Sequence, residues 1–196
     1  MTRRRIFLNL ALIVIGPLLV IAAYILFIQA SSNFHALIPG ELYRAAQPSA
    51  DEVSQYAEHY GIKTIINLRG ENYNKAWYRD MRAAAAFHNV HVLEFPLSTK
   101  REVTPEQMQA LVVMMRDAPK PLLIHCRSGA NRTGLASALY LRALKHASEF
   151  EVKTQLSFLY GHLSSPFMDV TAMDRSLAAF QPVAGSPVAN STVLSQ

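Results

Sequence analysis

The chain has one cysteine, Cys126, in 196 residues. An intrachain disulfide is therefore excluded, and so is a metal site made of cysteines alone. The seven histidines are scattered. The close pair His88 and His91 straddles a helix end and a strand start without further ligands at metal spacing, so no metal and no cofactor is expected. Acidic residues are missing from the first thirty positions, and basic ones outnumber them only slightly afterwards. Arg3, Arg4 and Arg5 supply three of the net +5, and residues 31–196 hold 16 basic against 14 acidic side chains. That balance gives no case for nucleic-acid binding. No internal repeat is present, and the length suits one domain with appendages better than two domains.

Hydrophobic content is 51% and mean hydropathy +0.11, high values that come from one place. Ile6 to Ile28 is a run of 23 residues without charge, interrupted only by Asn9 and Gly16-Pro17, directly after the arginine triplet. At 1.5 Å per residue this run spans a hydrocarbon core of about 30 Å, and membrane helices tolerate glycine and proline. A cleaved signal peptide has a shorter apolar region, about 7 to 15 residues, although Gln29-Ala30-Ser31-Ser32 offers a weak cleavage site. The expectation is a basic cytoplasmic segment over 1–5, an uncleaved single-pass anchor over 6–28 and a tether over 29–40. The remainder then lies on the non-cytoplasmic side, the periplasm in a bacterium.

Beyond the tether, strand and helix patterns alternate. Glu41 to Pro48 reads as a short strand, and Ser49-Ala50-Asp51-Glu52 as a capping box opening a helix that Gly61 closes. Ile62 to Leu68 and Val90 to Leu97 read as strands, with a helix from about 76 to 88 between them. Thr104-Pro105-Glu106-Gln107 is a second capping box, with proline at the first helical position. The apolar run Leu122-Leu123-Ile124 delivers Cys126 into a loop, and a helix over 135–146 follows. Further helices fit about 149–163 and 169–180, and 181–196 is an uncharged Pro/Ser/Ala/Val tail expected to be disordered. The alternation predicts an α/β domain over 41–180 whose central, mostly parallel sheet is flanked by helices. Ligands of such sheets sit at the carboxyl ends of the strands. The loops after Leu68, Leu97 and His125 then share one rim.

The strand-loop-helix around Cys126 is the most informative stretch. Loop amides and a helix N-terminus converge there, which suits an oxyanion and stabilises a thiolate. A merely buried cysteine would leave its surroundings indifferent. Instead His125 precedes it, Gly129 permits close backbone approach to an anion, and Arg132-Thr133-Gly134 follows.

His-Cys-x5-Arg-Thr-Gly resembles the phosphate-binding signature of the cysteine-dependent tyrosine and dual-specificity phosphatases. Glu-Leu-Tyr-Arg-Ala-Ala-Gln-Pro, the run Gly61 to Arg69 and Phe95-Pro96-Leu97 are similar to the opening segments of the compact dual-specificity-like branch, over roughly 38–147. The resemblance implies that Cys126 is the nucleophile, its pKa lowered from about 8.5 into the range of roughly 3.5 to 7.5. Arg132 grips phosphoryl oxygens with its planar fork. The backbone of Arg127, Ser128, Gly129, Ala130, Asn131 and Arg132 holds them, Thr133 assists the sulfur as leaving group, and His125 supports the loop from below. The family usually takes its general acid from an aspartate, and this chain has none between Phe95 and Thr104. Glu102 is the carboxylate available there, with Glu71 and Asp169 as further candidates. Arg69, Lys75, Lys100 and Arg101 lie on loops expected at the rim.

The implied function is hydrolysis of phosphomonoesters through a cysteinyl-phosphate, on a phosphotyrosine or dual-specificity protein substrate. A membrane lipid, glycolipid or inositol phosphate is the alternative substrate, and an inactive phosphate-binding module the alternative class.

Overall fold

A computed structural model describes residues 3–163 and 171–182, and their side chains apart from those of 3–12, 29 and 171. Asp169 and the tail from 183 onward lie outside the described residues. Helix α1 covers Arg3–Ala30. After it come β1 (His35–Ile38), β2 (Leu42–Ala45), α2 (Ala50–Tyr60), β3 (Thr64–Asn67), α3 (Ala76–Phe87) and β4 (His91–Glu94). α4 (Pro105–Asp117), β5 (Leu122–His125), α5 (Asn131–Leu144), α6 (Glu149–Thr154) and α7 (Thr171–Ala179) complete the order, with a 3-10 turn at Phe158–Tyr160.

Among the described residues five strands form one sheet in the order β1-β2-β5-β3-β4. β5 pairs in parallel with β2 and with β3, and β3 in parallel with β4, while β1 is antiparallel to β2. The sheet is therefore mixed, with an antiparallel edge on a parallel centre. β2, β3 and β5 are buried at every position, as strands covered on both faces must be. α2 and α3 cover one face, where Val53, Tyr78 and Met81 pack on Ile65 and Leu123. α4, α5 and α7 cover the other, where Leu111, Leu139 and Met173 pack in one cluster with Ile66 and Ile124.

The helix ends follow from local chemistry. Ser49 and Thr104 both close reciprocal capping boxes, with Glu52 and Gln107 at N3, and Gly61 takes the left-handed conformation that ends α2.

The strands expected over 41–48, 62–68 and 90–97 are all shorter than expected, and three other boundaries differ. α5 starts at Asn131 and not at Leu135, because its first-turn N-H groups need no helical acceptor and are free to belong to the loop. α6 ends at Thr154, and the Phe158–Tyr160 turn takes over what was expected to be helix. The expected tether carries β1 and is pinned to the domain by Asn33. Among the described residues no helix is long and apolar enough to cross a membrane. The described side chains of α1 begin at Ile13, and Ile13 to Ile28 is shorter than the ~20 residues a crossing needs.

Candidate active site

β5 ends with His125 at the same level as Asn67 of β3 and Ala45 of β2. The chain then turns out of the sheet at Cys126, which is only 2% exposed. Gly129 makes the turn possible. Its φ is 71°, and a Cβ there would stand 2.7 Å from the Ala46 nitrogen and 2.8 Å from the Ala45 carbonyl. The glycine thus serves the contact between the loop and the end of β2.

Successive loop carbonyls are tied outward. The Arg127 carbonyl accepts from the Gln47 N-H at 3.2 Å, the Ser128 carbonyl from Asn33 Nδ2 at 2.9 Å, and the Gly129 carbonyl from Arg44 Nη2 at 2.7 Å. Peptide units held by their oxygens turn their N-H groups the other way, which builds a concave nest of donors for an anion. Arg44 is fully buried in β2. Its Nη1 donates to the Gln155 carbonyl at 3.1 Å and to Gln155 Oε1 at 2.8 Å, and its guanidinium lies 3.8 Å from the centre of the Tyr160 ring. Burial pulls its pKa down to about 10, against the opposing effects of Tyr160 and Cys126. It stays charged at neutral pH. The sequence reading missed both Arg44 and Asn33. The signal for the first was present: an arginine inside an otherwise buried strand demands partners.

Burial pushes the Cys126 thiol up, and the Thr133 hydroxyl, the Arg132 charge and the N-H groups of Thr133 and Gly129 pull it down by more. The net effect is a thiol below its ordinary range. The Thr133 hydroxyl is buried with no acceptor of full hydrogen-bond geometry, and since a hydroxyl hydrogen rotates to suit, we assign the sulfur as its acceptor. Arg132 is braced through Nη1 by the carbonyls of Leu68 at 3.1 Å and Leu97 at 3.3 Å, on the segments that follow β3 and β4. Its buried Nε has no acceptor, and an oxyanion held over Cys126 would supply one.

A further cationic group stands at this rim. Arg69 donates to Gln47 Oε1 at 3.0 Å and lies 3.7 Å from the Trp77 ring centre. Burial lowers its pKa, and the nearby Arg132 and Arg127 charges add to the effect. Lys75, Lys100 and Arg101 are exposed on their loops. Behind the loop, His162 is 2% exposed and bridges Asn131 Oδ1 at 2.9 Å to the Asp174 carboxylate at 3.1 Å. This brace on the first residue of α5 was not legible in the sequence.

Glu102 is exposed and ion-paired with Arg175 of α7, and Glu71 is exposed in the loop after β3. Glu94 is a carboxyl whose pKa is raised, chiefly by burial. Its register with Asn67, itself level with His125, puts it on the α3 side of the sheet, opposite Cys126.

His125 supports the loop from beneath, with Nδ1 3.3 Å from the Cys126 carbonyl. Burial lowers its pKa to about 4 from 6.5, against the raising effect of that hydrogen bond, with Arg69 and Arg132 adding to the lowering. The unfolded chain binds a proton here below about pH 6.5 while the folded one stays neutral to about pH 4. Stability is therefore lost as pH falls across that window. Urea midpoints should drop between pH 7 and pH 5, and His125→Gln should flatten that dependence. An unchanged slope in the variant would remove His125 as its source.

Residues 33–173 match the family described as DSP-PTPase phosphatase fused to NAD+ Kinase. The chain belongs to this phosphatase family. The dual specificity protein phosphatase TpbA of Pseudomonas aeruginosa is 29% identical over 114 residues, 58% of this chain and 48% of that protein. The chain thus spans about half the length of the curated relatives it matches. The crystal structure of P. aeruginosa TpbA superposes with a TM-score of 0.63 at 22% identity, covering 78% of this chain and 87% of that one. The catalytic core of the PP-IP phosphatase SIW14 from S. cerevisiae, in complex with citrate, gives 0.62 at 19% identity, covering 76% and 85%. Both likenesses establish that the fold is shared.

Proposed function

We propose that this phosphatase-family chain hydrolyses phosphomonoesters through a cysteinyl-phosphate. The observation that carries the reading is the loop itself: outward-tied carbonyls around a buried thiol of lowered pKa, with Arg132 beside it. In the first step the Cys126 thiolate attacks phosphorus. The S-P bond forms, the P-O bond to the substrate alcohol breaks, and the leaving oxygen takes a proton from a general acid. In the second step water attacks phosphorus, gives its proton to that same carboxylate, and releases inorganic phosphate and the thiolate. The loop N-H groups and Arg132 stabilise the charge on the equatorial oxygens in both steps.

Glu102 is our proposed proton donor, with Glu71 and Asp169 behind it, and its ion pair with Arg175 must open for it to act. Glu102→Gln should lower kcat for phenyl phosphate by about 10²-fold or more and remove the basic limb of the pH profile. An unchanged kcat and profile would take Glu102 out of the mechanism.

The family and the TpbA likeness support a phosphotyrosine or dual-specificity protein substrate. A phosphorylated membrane lipid, glycolipid or inositol phosphate is the second reading, and the apolar cleft that adjoins the loop favours the lipid among these. Residues 6–28 are proposed as the anchor that holds the domain on the non-cytoplasmic face. The uncharged run behind three arginines and the exposed apolar residues from Ile13 to Phe27 support it. A reporter fused after Gln196 tests the sidedness, and a cytoplasmic signal overturns it. Turnover of p-nitrophenyl phosphate by the wild type excludes an inactive module.

A further inference from the structure

We propose that the substrate of this site carries an apolar tail, an alkyl or acyl chain on the same molecule as the phosphate, and that the cleft between α1 and the phosphate loop holds that tail. The inference rests on the phosphomonoesterase reading and names its substrate class.

The cleft has a volume of about 600 Å³, in the middle of the range of roughly 300–1,000 Å³ typical of ligand sites. Arg127 and Ser128 of the phosphate loop line it together with the apolar side chains of Ile25, Ile28, Phe158 and Leu163, and Ser32, Gln47 and Tyr160 add polar groups. A charged head and an apolar tail therefore have contiguous places. The apolar wall is fixed in position. Tyr24 Oη donates to the Leu159 carbonyl at 2.6 Å, its ring lies 5.4 Å from that of Phe158, and Asn33 ties the end of α1 to the Ser128 carbonyl.

The wall is also incompletely covered: Ile25 is 40% exposed, Phe158 39% and Leu163 48%. From Ile25 the apolar surface continues along α1 through Leu26, Leu19 and Leu18 to Ile13. Burying such surface under a hydrocarbon chain is favourable in proportion to area. A peptide backbone or an inositol ring would set amides or hydroxyls against the side chains of Ile25, Ile28, Phe158 and Leu163, which offer them no partner, and that costs free energy. The chemistry of the cleft thus selects an amphiphilic phosphomonoester over a phosphopeptide or a polyol phosphate.

The test uses the full chain in phosphatidylcholine nanodiscs. Ethyl, butyl, octyl and dodecyl phosphate are supplied below their aggregation concentrations, beside p-nitrophenyl phosphate and a phosphotyrosine peptide with apolar neighbours. For the wild type kcat/KM should rise with chain length by up to about fourfold per methylene until the cleft is filled. Ile25→Asn and Leu163→Asn, each alone, should lower the ratio of dodecyl phosphate to p-nitrophenyl phosphate kcat/KM about tenfold. Partition into the disc is common to all forms, so the ratio isolates the cleft. A flat chain-length series with p-nitrophenyl phosphate still hydrolysed overturns the tail site alone, as does a ratio that both variants leave unchanged. Preference for the phosphopeptide over dodecyl phosphate also overturns it. If no phosphate ester is hydrolysed, the phosphomonoesterase reading fails and this proposal falls with it.

Discussion

Cys126→Ser is expected to lower kcat for p-nitrophenyl phosphate by on the order of 10⁴-fold or more, the scale of losing a covalent nucleophile. The thiol is held below its ordinary pKa because Thr133, Arg132 and the Gly129 N-H outweigh the opposing effect of burial. A serine hydroxyl in the same place stays protonated at neutral pH. The loop does not depend on the sulfur for its shape. Its carbonyls are held by Gln47, Asn33 and Arg44, so the variant should keep the fold and still bind inorganic phosphate. Steady-state turnover with calorimetric phosphate binding distinguishes the outcomes. Turnover near that of the wild type would show that Cys126 is not the nucleophile, and loss of phosphate binding together with turnover would show that the loop itself had collapsed. The same variant, used in membranes, retains whichever substrate it binds.

The second large effect is expected at Arg132. Arg132→Lys keeps the charge and removes the planar fork. The native side chain is braced through Nη1 on the Leu68 and Leu97 carbonyls, and its Nε is the buried donor left for an oxyanion. A lysine ammonium is a single point and cannot serve both. We expect kcat/KM to fall about 10²- to 10³-fold, mostly in kcat, since the lost contact strengthens as charge develops in the transition state. Arg132→Ala also removes one of the influences that lower the thiol, after Thr133 the largest of them. The acid limb of its kcat/KM profile should then move to higher pH. A lysine variant that matches the wild type would show that charge alone suffices, and an unmoved limb in the alanine variant would separate Arg132 from the thiol.

Much of this site was legible because its parts are close in sequence. Cys126 and Arg132 are six residues apart, on one turn between β5 and α5, and a turn that short has few ways to place them. Capping boxes at Ser49 and Thr104 are equally local, and both formed as their sequences implied. The start of α5 was read four residues late, since the loop and the first helical turn share the same N-H groups and sequence cannot divide them. α6 was read too long because apolar spacing continues through Leu156, Leu159 and Leu163 while the backbone leaves the helix after Thr154. β1, His-Ala-Leu-Ile, is too short for any period to show, and its pairing with β2 supplies what its length does not.

Sequence by itself determined which residues stand in the short turn after β5, the alternation of strands and helices and the lack of an aspartate between Phe95 and Thr104, all properties of adjacent residues. Tertiary structure alone decided what surrounds them. Arg44 lies 85 positions from the Gly129 carbonyl it holds, Asn33 lies 95 from that of Ser128, and Glu102 meets Arg175 across 73. The cleft joins α1 to a turn more than a hundred residues later. Contacts of that span depend on how the sheet orders its strands and where each helix lands on it, and no local pattern encodes them.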